Sequence, residues 1–154
     1  MIDFAGFEQV ISYLTSQNKD CMLASLTIPY PPSVNHVYGI RRGGKGKYIT
    51  ADGKKFIYSV IAETLKCRAD ISFTGDVAIE ILEVQKTKYR RDYDNPLKAL
   101  NDALVKADVI KDDKQIKFAV VAMTEPDKSI KEGYAVVNLY DLDKIRSLKE
   151  FKLS

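Results

Sequence analysis

The dipeptide Asn95-Pro96 constrains the local fold of this chain more tightly than any other feature. Proline disfavours the helical region for the residue before it, so Asn95 is expected to be extended. Asn is a favoured N-cap, and Pro suits the first helical position. A helix is therefore predicted to start at Pro96, with Leu97, Leu100, Leu104 and Ala107 as its apolar stripe. The chain just upstream should be extended. Asp92 and Asp94, two residues apart, then point the same way and converge near the helix N-terminus. Lys98 falls in the first turn, where the helix dipole disfavours a cation. A nearby anion, either the Asp pair or a bound phosphate, removes that conflict. Asp102 lies two turns into the helix and is expected to matter much less. Asp112 and Asp113 follow the helix.

Paired carboxylates beside Lys and Arg suggest a divalent metal facing a phosphate. Such a metal needs several hard oxygen ligands, and Mg²⁺ prefers one or two carboxylates plus water and phosphate oxygens. The competing reading is a solvated, charge-rich loop whose Asp residues are ordinary caps. Two aligned Asp, a Lys at the wrong end of a helix, Arg90 and Arg91 upstream and a second Asp pair downstream together weigh against it.

Positive charge is concentrated just ahead of this motif. The net charge is only +3, so its distribution matters more than its total. From Asn35 to Lys55 the chain is basic and flexible: Gly39, Gly43, Gly44 and Gly46 alternate with Arg41, Arg42, Lys45 and Lys47 between Tyr38 and Tyr48. A second basic loop, Gln85 to Arg91, carries Lys86, Lys88, Arg90 and Arg91 and no acid. Each loop is either a solvated tip or a clamp on a phosphate backbone. Tyr89 is either a base-stacking residue or plain surface. The run RRGGKGK lacks P-loop spacing, which disfavours nucleotide hydrolysis.

The rest of the chain supplies a frame. Phe4, Phe7, Ile11 and Leu14 recur at helical spacing in Met1 to Asn18. Met22 to Ile28 reads as a strand closed by Pro29, Pro31 and Pro32, and Asp52 to Arg68 as a helix. Asp76 to Val84 is a strand in which Val77, Ile79 and Ile81 alternate with polar neighbours. Ile116 to Met123 and Tyr134 to Tyr140 read as a hairpin turning through 126–133, and Asp141 to Ser154 as a short helix or loose tail. These elements predict one α+β domain, a small mixed sheet with helices packed on it. The expected divisions are an N-terminal helical extension at 1–22, a core domain at 23–141 and a C-terminal tail at 142–154. At 45% apolar and 29% charged, the composition is that of a soluble globular protein. A single histidine, His36, argues against a zinc site or a histidine triad. Cys21 and Cys67 lack metal-site spacing and read as reduced thiols. No apolar run could span a membrane and no signal pattern opens the chain, so a cytoplasmic location without membrane partners is expected.

The pattern D-x-D-N-x-x-K followed by D-D-x-Q, on Asp92, Asp94, Asn95, Lys98, Asp112, Asp113 and Gln115, resembles the RusA family of Holliday junction resolvases, common in prophages. Ile28 to Asn35, reading IPYPPSVN, is similar to the family's opening strand and P-P-S-x-N turn. The resemblance runs from Ser25 to Tyr140, with Pro96 standing where the family often has Leu. It implies a RusA-like homodimer that cuts four-way DNA junctions in recombination and repair, using Mg²⁺, with Mn²⁺ as the alternative. On this reading Asp92, Asp94 and Asp113 hold the metal, Lys98 stabilises charge on the scissile phosphate, and the two basic loops hold the DNA arms. Asp112 is either a ligand or a supporting group, and the family pattern favours Asp113. The alternative is a non-catalytic DNA-binding or assembly protein of the same fold, against which the intact acidic residues and Lys98 argue. A small-molecule phosphohydrolase is disfavoured by the basic glycine-rich loop.

Overall fold

Strand β1 (Met22–Pro29) buries Ala24, Leu26 and Ile28 and exposes Ser25 and Thr27, the alternation of a strand with one covered face. In the computed structural model, which describes residues 19–87 and 94–147, β1 is an edge of a four-stranded sheet, followed in order by β6 (Tyr134–Asp141), β4 (Val77–Val84) and β5 (Ile116–Met123). An edge position is what lets Pro29 occupy its last place. The helix expected over Met1 to Asn18 lies outside the described residues, as do residues 88–93 and 148–154.

After the prolines come a one-turn helix α1 (Val34–Val37) and a two-stranded hairpin, β2 (Tyr38–Ile40) with β3 (Lys47–Ile49). Helix α2 (Ala51–Lys66) is capped by Thr50, whose Oγ1 accepts the Gly53 N–H at 3.0 Å. Gly53 lies so close to α1 that an added Cβ would meet the Val37 carbonyl oxygen at 2.7 Å. Strand β4 (Val77–Val84) follows, then helix α3 (Leu97–Lys106), β5 (Ile116–Met123), β6 (Tyr134–Asp141) and helix α4 (Leu142–Ser147). The mixed α+β architecture expected from the order of elements is the one observed.

Two local expectations are corrected. The first is the hairpin of the last two strands. β5 pairs in parallel with β4, whereas β6 pairs antiparallel with both β4 and β1, so β4 separates β5 from β6. Helix α3 is the crossover that makes the parallel pair, and the 124–133 connection passes over the end of β4. Its Thr124 and Asp127 N–H groups donate to the carbonyls of Glu83 and Gln85, both at 2.9 Å. The second concerns β4, whose alternation predicts one covered face. As a central strand it is buried on both, and Glu80 and Glu83 are inside. Glu80 accepts from the Tyr140 hydroxyl and from Asn138 Nδ2 at 3.3 Å.

One face packs Leu26, Ile79, Ile81, Val137 and Leu139 against Phe56, Ile57 and Val60 of α2 and Leu100, Ala103 and Leu104 of α3. On the opposite face α4 seats Leu142 and Ile145 beside Ala78, Tyr140 and Cys21. Residues 142–147 of the expected tail are thus a packed helix. Register puts Pro29, Val84 and Met123 at the same end of the sheet, beside Tyr134. The proline turn and the loop running toward the acidic motif therefore leave the sheet side by side.

Candidate active site

The motif helix starts one residue later than expected. Pro96 takes the N-cap place with helical backbone angles (φ −81°, ψ −9°), and Asp94 to Pro96 form a turn. Proline has no N–H, so the first donor is Leu97, which bonds the Asp94 carbonyl at 3.0 Å. That turn replaces the extended chain predicted through Asp94 and leaves Asp94 and Asn95 exposed at the head of α3. Asp92 lies outside the described residues, so the predicted alignment of the two carboxylates does too.

The anion that Lys98 lacked is Asp102. Lys98 Nζ lies 2.9 Å from Asp102 Oδ1, one turn along the same helix, and 3.4 Å from Asp113 Oδ2. Asp102, expected to matter much less than Asp94, is in contact with Lys98. These hydrogen bonds, Asp102's first, raise the Lys98 pKa and keep it an ammonium. On its other oxygen Asp102 accepts from the Tyr38 hydroxyl, delivered by the base of the β2–β3 hairpin. Burial, and then this hydrogen bond, push the Tyr38 hydroxyl up to about 12, so it remains a donor. The side chains of Lys98 and Asp113 are 58% and 37% exposed, and an ion pair in that setting contributes only about 0–1 kcal/mol. Stability does not account for gathering these charges.

The D-D-x-Q segment divides its labour. Asp112 caps a 3₁₀ turn at Asp113–Gln115: its Oδ1 accepts the Lys114 N–H at 2.9 Å, and this backbone bond lowers its pKa. Gln115 closes the box. Its Oε1 accepts the N–H groups of Lys111 and Asp112, both at 2.8 Å, and its Nε2 donates to the carbonyls of Phe73 at 2.7 Å and Gly75 at 2.8 Å. Asp112 thus gives one oxygen to the backbone, and Asp113 places Oδ2 near Lys98.

Of the predicted DNA contacts, Arg41, Arg42, Lys45 and Lys47 are all exposed on the hairpin, whose tip needs the positive φ of Gly43, Gly44 and Gly46 (82°, 71° and 99°). Lys86 is exposed and donates to the Lys131 carbonyl at 2.6 Å. Lys88, Tyr89, Arg90 and Arg91 lie outside the described residues. A cavity of about 390 Å³ opens between hairpin and motif helix, lined by Val34, Tyr38, Lys47, Tyr48, Lys98 and Asp102. Among the described residues no three His, Cys, Asp or Glu side chains gather as a metal site. Asp94 and Asp113 are nonetheless hard oxygen donors free of capping duty, which suits a cation of the Mg²⁺ type.

Comparison with known proteins bears on the same residues. The profile of the family described as Endodeoxyribonuclease RusA matches residues 29–136, from the proline turn into β6. The chain belongs to the RusA family. It is 37% identical over 100 residues to the crossover junction endodeoxyribonuclease RusA of Shigella sonnei, covering 64% of this chain and 82% of that protein. The Escherichia coli K12 protein of the same name is 36% identical over the same shares. That of Enterobacteria phage HK97 is 35% identical over 88 residues, 57% of this chain and 72% of its own. The contacts of Tyr38 and Asp102 at this site are what sequence reasoning did not anticipate. For Asp102 the spacing of four from Lys98 was the available signal; for Tyr38 there was none, because the contact spans 64 positions.

Proposed function

We propose that this chain is a metal-dependent crossover junction endodeoxyribonuclease that resolves four-way DNA junctions in recombination and repair. The observation that carries the reading is the seating of the Lys98 ammonium at the Asp113 carboxylate, on the helix that the exposed Asp94 precedes by one turn, inside the family's matched span. Asp92, Asp94 and Asp113 would hold a divalent cation, Mg²⁺ with Mn²⁺ as the alternative. When bound, such a cation supplies a Lewis acid for a phosphoryl oxygen and a water more easily deprotonated. Lys98 then offers positive charge to the scissile phosphate as negative charge builds in the transition state. The cations of the hairpin and of Lys86 to Arg91 neutralise backbone phosphates, which favours binding by shape and charge rather than by sequence. Two strands must be cut at a junction, and a homodimer supplies two sites related by two-fold symmetry.

The test is cleavage of a synthetic four-way junction beside linear duplex, with and without Mg²⁺ or Mn²⁺. Asp94→Asn keeps the size of the side chain and removes one ligand charge. It should lose cleavage by roughly a hundredfold or more. Junction affinity should hold or improve, because a carboxylate repels phosphate. Equal rates for wild type and Asp94→Asn in Mg²⁺ would refute the assignment. Light scattering should give twice the 17.4 kDa chain mass; a monomer that cuts both strands in one encounter would refute the dimer.

A further inference from the structure

We propose that Asp102 and Tyr38 are positioning residues that hold the Lys98 ammonium at the acidic cluster, tying the base of the basic hairpin to the chemistry of the motif helix. The inference rests on the proposed role of Lys98 and extends it to two residues outside the acidic motif.

Lys98 has a long, flexible stem and a largely exposed head, so an unrestrained ammonium would sample solvent. Two carboxylates restrain it, and they are not equivalent. Asp113 is the more distant, at 3.4 Å against 2.9 Å, and is itself a candidate ligand, so its oxygens are drawn elsewhere once a cation is present. Asp102 has no such competing duty. It gives Oδ1 to Lys98 and Oδ2 to Tyr38, so the carboxylate is fixed at both oxygens. Tyr38 is anchored in turn. Its ring packs on the main core, and the Val37 carbonyl beside it accepts the Thr50 N–H at 2.8 Å. The lysine is thereby referenced to the rigid start of α2 rather than to its own helix alone. The chain continues from Tyr38 into Arg41 and Arg42, so a shift of the hairpin on DNA would be felt at Lys98 through one hydroxyl.

The experiment compares wild type, Asp102→Asn, Tyr38→Phe, Lys98→Ala and Lys98→Ala combined with Asp102→Asn. Three quantities are read: single-turnover cleavage of a four-way junction, junction Kd, and the ¹H–¹⁵N signal of the Lys98 ammonium in metal-free protein. Asp102→Asn should slow cleavage on the order of ten- to a hundredfold, the scale of misplacing a catalytic group by about an ångström. Its Kd should stay within about twofold. Tyr38→Phe should slow cleavage several-fold in the same manner. In the Lys98→Ala background, Asp102→Asn should add nothing, because a residue that acts only through Lys98 has no effect without it. The Lys98 signal, protected from proton exchange by its partners, should broaden in Asp102→Asn. A rate for Asp102→Asn within twofold of wild type overturns the proposal, as do multiplicative losses in the double variant. The ammonium signal separates this proposal from the functional one. If wild type cuts no junction, the nuclease reading falls, while an unchanged Lys98 signal in Asp102→Asn overturns the positioning role by itself.

Discussion

Gln115 is a residue whose worth can be worked out from its contacts. One amide side chain makes four hydrogen bonds, two accepted from Lys111 and Asp112 and two donated to Phe73 and Gly75. They staple the turn that carries Asp113 to the segment leading into β4. The two accepted bonds are exposed, so water replaces them when the side chain is cut back, and each then costs only a few tenths of a kcal/mol. The two donated bonds are partly buried. Losing each costs about 1 kcal/mol, and leaving its carbonyl poorly solvated adds to that. Gln115→Ala should therefore destabilise the fold by about 2–4 kcal/mol, a large share of the roughly 5–15 kcal/mol typical of a domain. Gln115→Glu is the sharper probe. It keeps both accepted bonds but turns both donors into oxygens facing carbonyls, so it should cost at least as much as alanine near neutral pH. Urea unfolding at constant slope gives both values. Junction cleavage should fall in both variants under native conditions, because Asp113 rides on the stapled turn. A loss below about 1 kcal/mol in Gln115→Ala, or a Gln115→Glu protein as stable as wild type, would show that the staple does not hold this turn.

Three further outcomes are expected. Neutralising Arg41, Arg42, Lys45 and Lys47 together should weaken junction binding and reduce the slope of log K against log salt by up to about 3–4, at about 0.9 per phosphate contact; an unchanged slope assigns the hairpin to solvent. Arg68 holds a left-handed φ of 53° just after α2, so Arg68→Gly should raise stability by about 0.5–1 kcal/mol, and a lower urea midpoint would contradict this. Tyr38 is raised from 10.0 to about 12, so the fold binds its proton more tightly than the unfolded chain does. Its contribution is complete below pH 10 and lost as pH rises through 12; subtracting the Tyr38→Phe titration, followed by ultraviolet absorbance, should leave one phenol ionising near 12 rather than 10.

The α+β class, the helix after Pro96 and the start of β1 were legible because each rests on local chemistry: a missing N–H, a 3.6-residue stripe, a period-two alternation. The pairing of the last strands was not. Alternation says that a segment is a strand and which residues share a face, but not which neighbour it takes. Two signs nevertheless stood against a hairpin. The 124–133 connection has ten residues where hairpin loops have about 2–5, and Glu80 and Glu83 lie within an otherwise apolar run. The carboxylates misled because an acid in a strand reads as a solvent face. In β4 the Tyr140 hydroxyl and Asn138 of the neighbouring strand donate to Glu80 Oε1 inside the protein, which no reading of β4 alone can show.

The same limit explains the candidate site. The distance of Asp102 from Pro96 along the helix axis, about 9 Å at roughly 1.5 Å per residue, hides its contact with Lys98. The relevant measure was from the tip of Lys98, whose stem lies along the helix surface and brings Nζ within 2.9 Å of the residue four places on. Axis distance compares backbones, whereas chemistry compares side-chain tips, and for lysine the two differ by most of a turn. Tyr38 poses a harder case. It stands beside the basic hairpin, and nothing in its local sequence shows that its hydroxyl reaches Asp102 on α3. Lys98 in the first turn is the point where these lines meet. A cation at the positive end of a helix is a cost that the sequence displays openly, and the fold offsets it with Asp102 from the same helix and Asp113 from beyond it. Two carboxylates around one exposed ammonium give a local charge of −1, and a cation that drew Asp113 away would leave Lys98 and Asp102 as a neutral pair. On the proposed reading, Asp102 alone would then hold the lysine while its remaining N–H donors serve a phosphate.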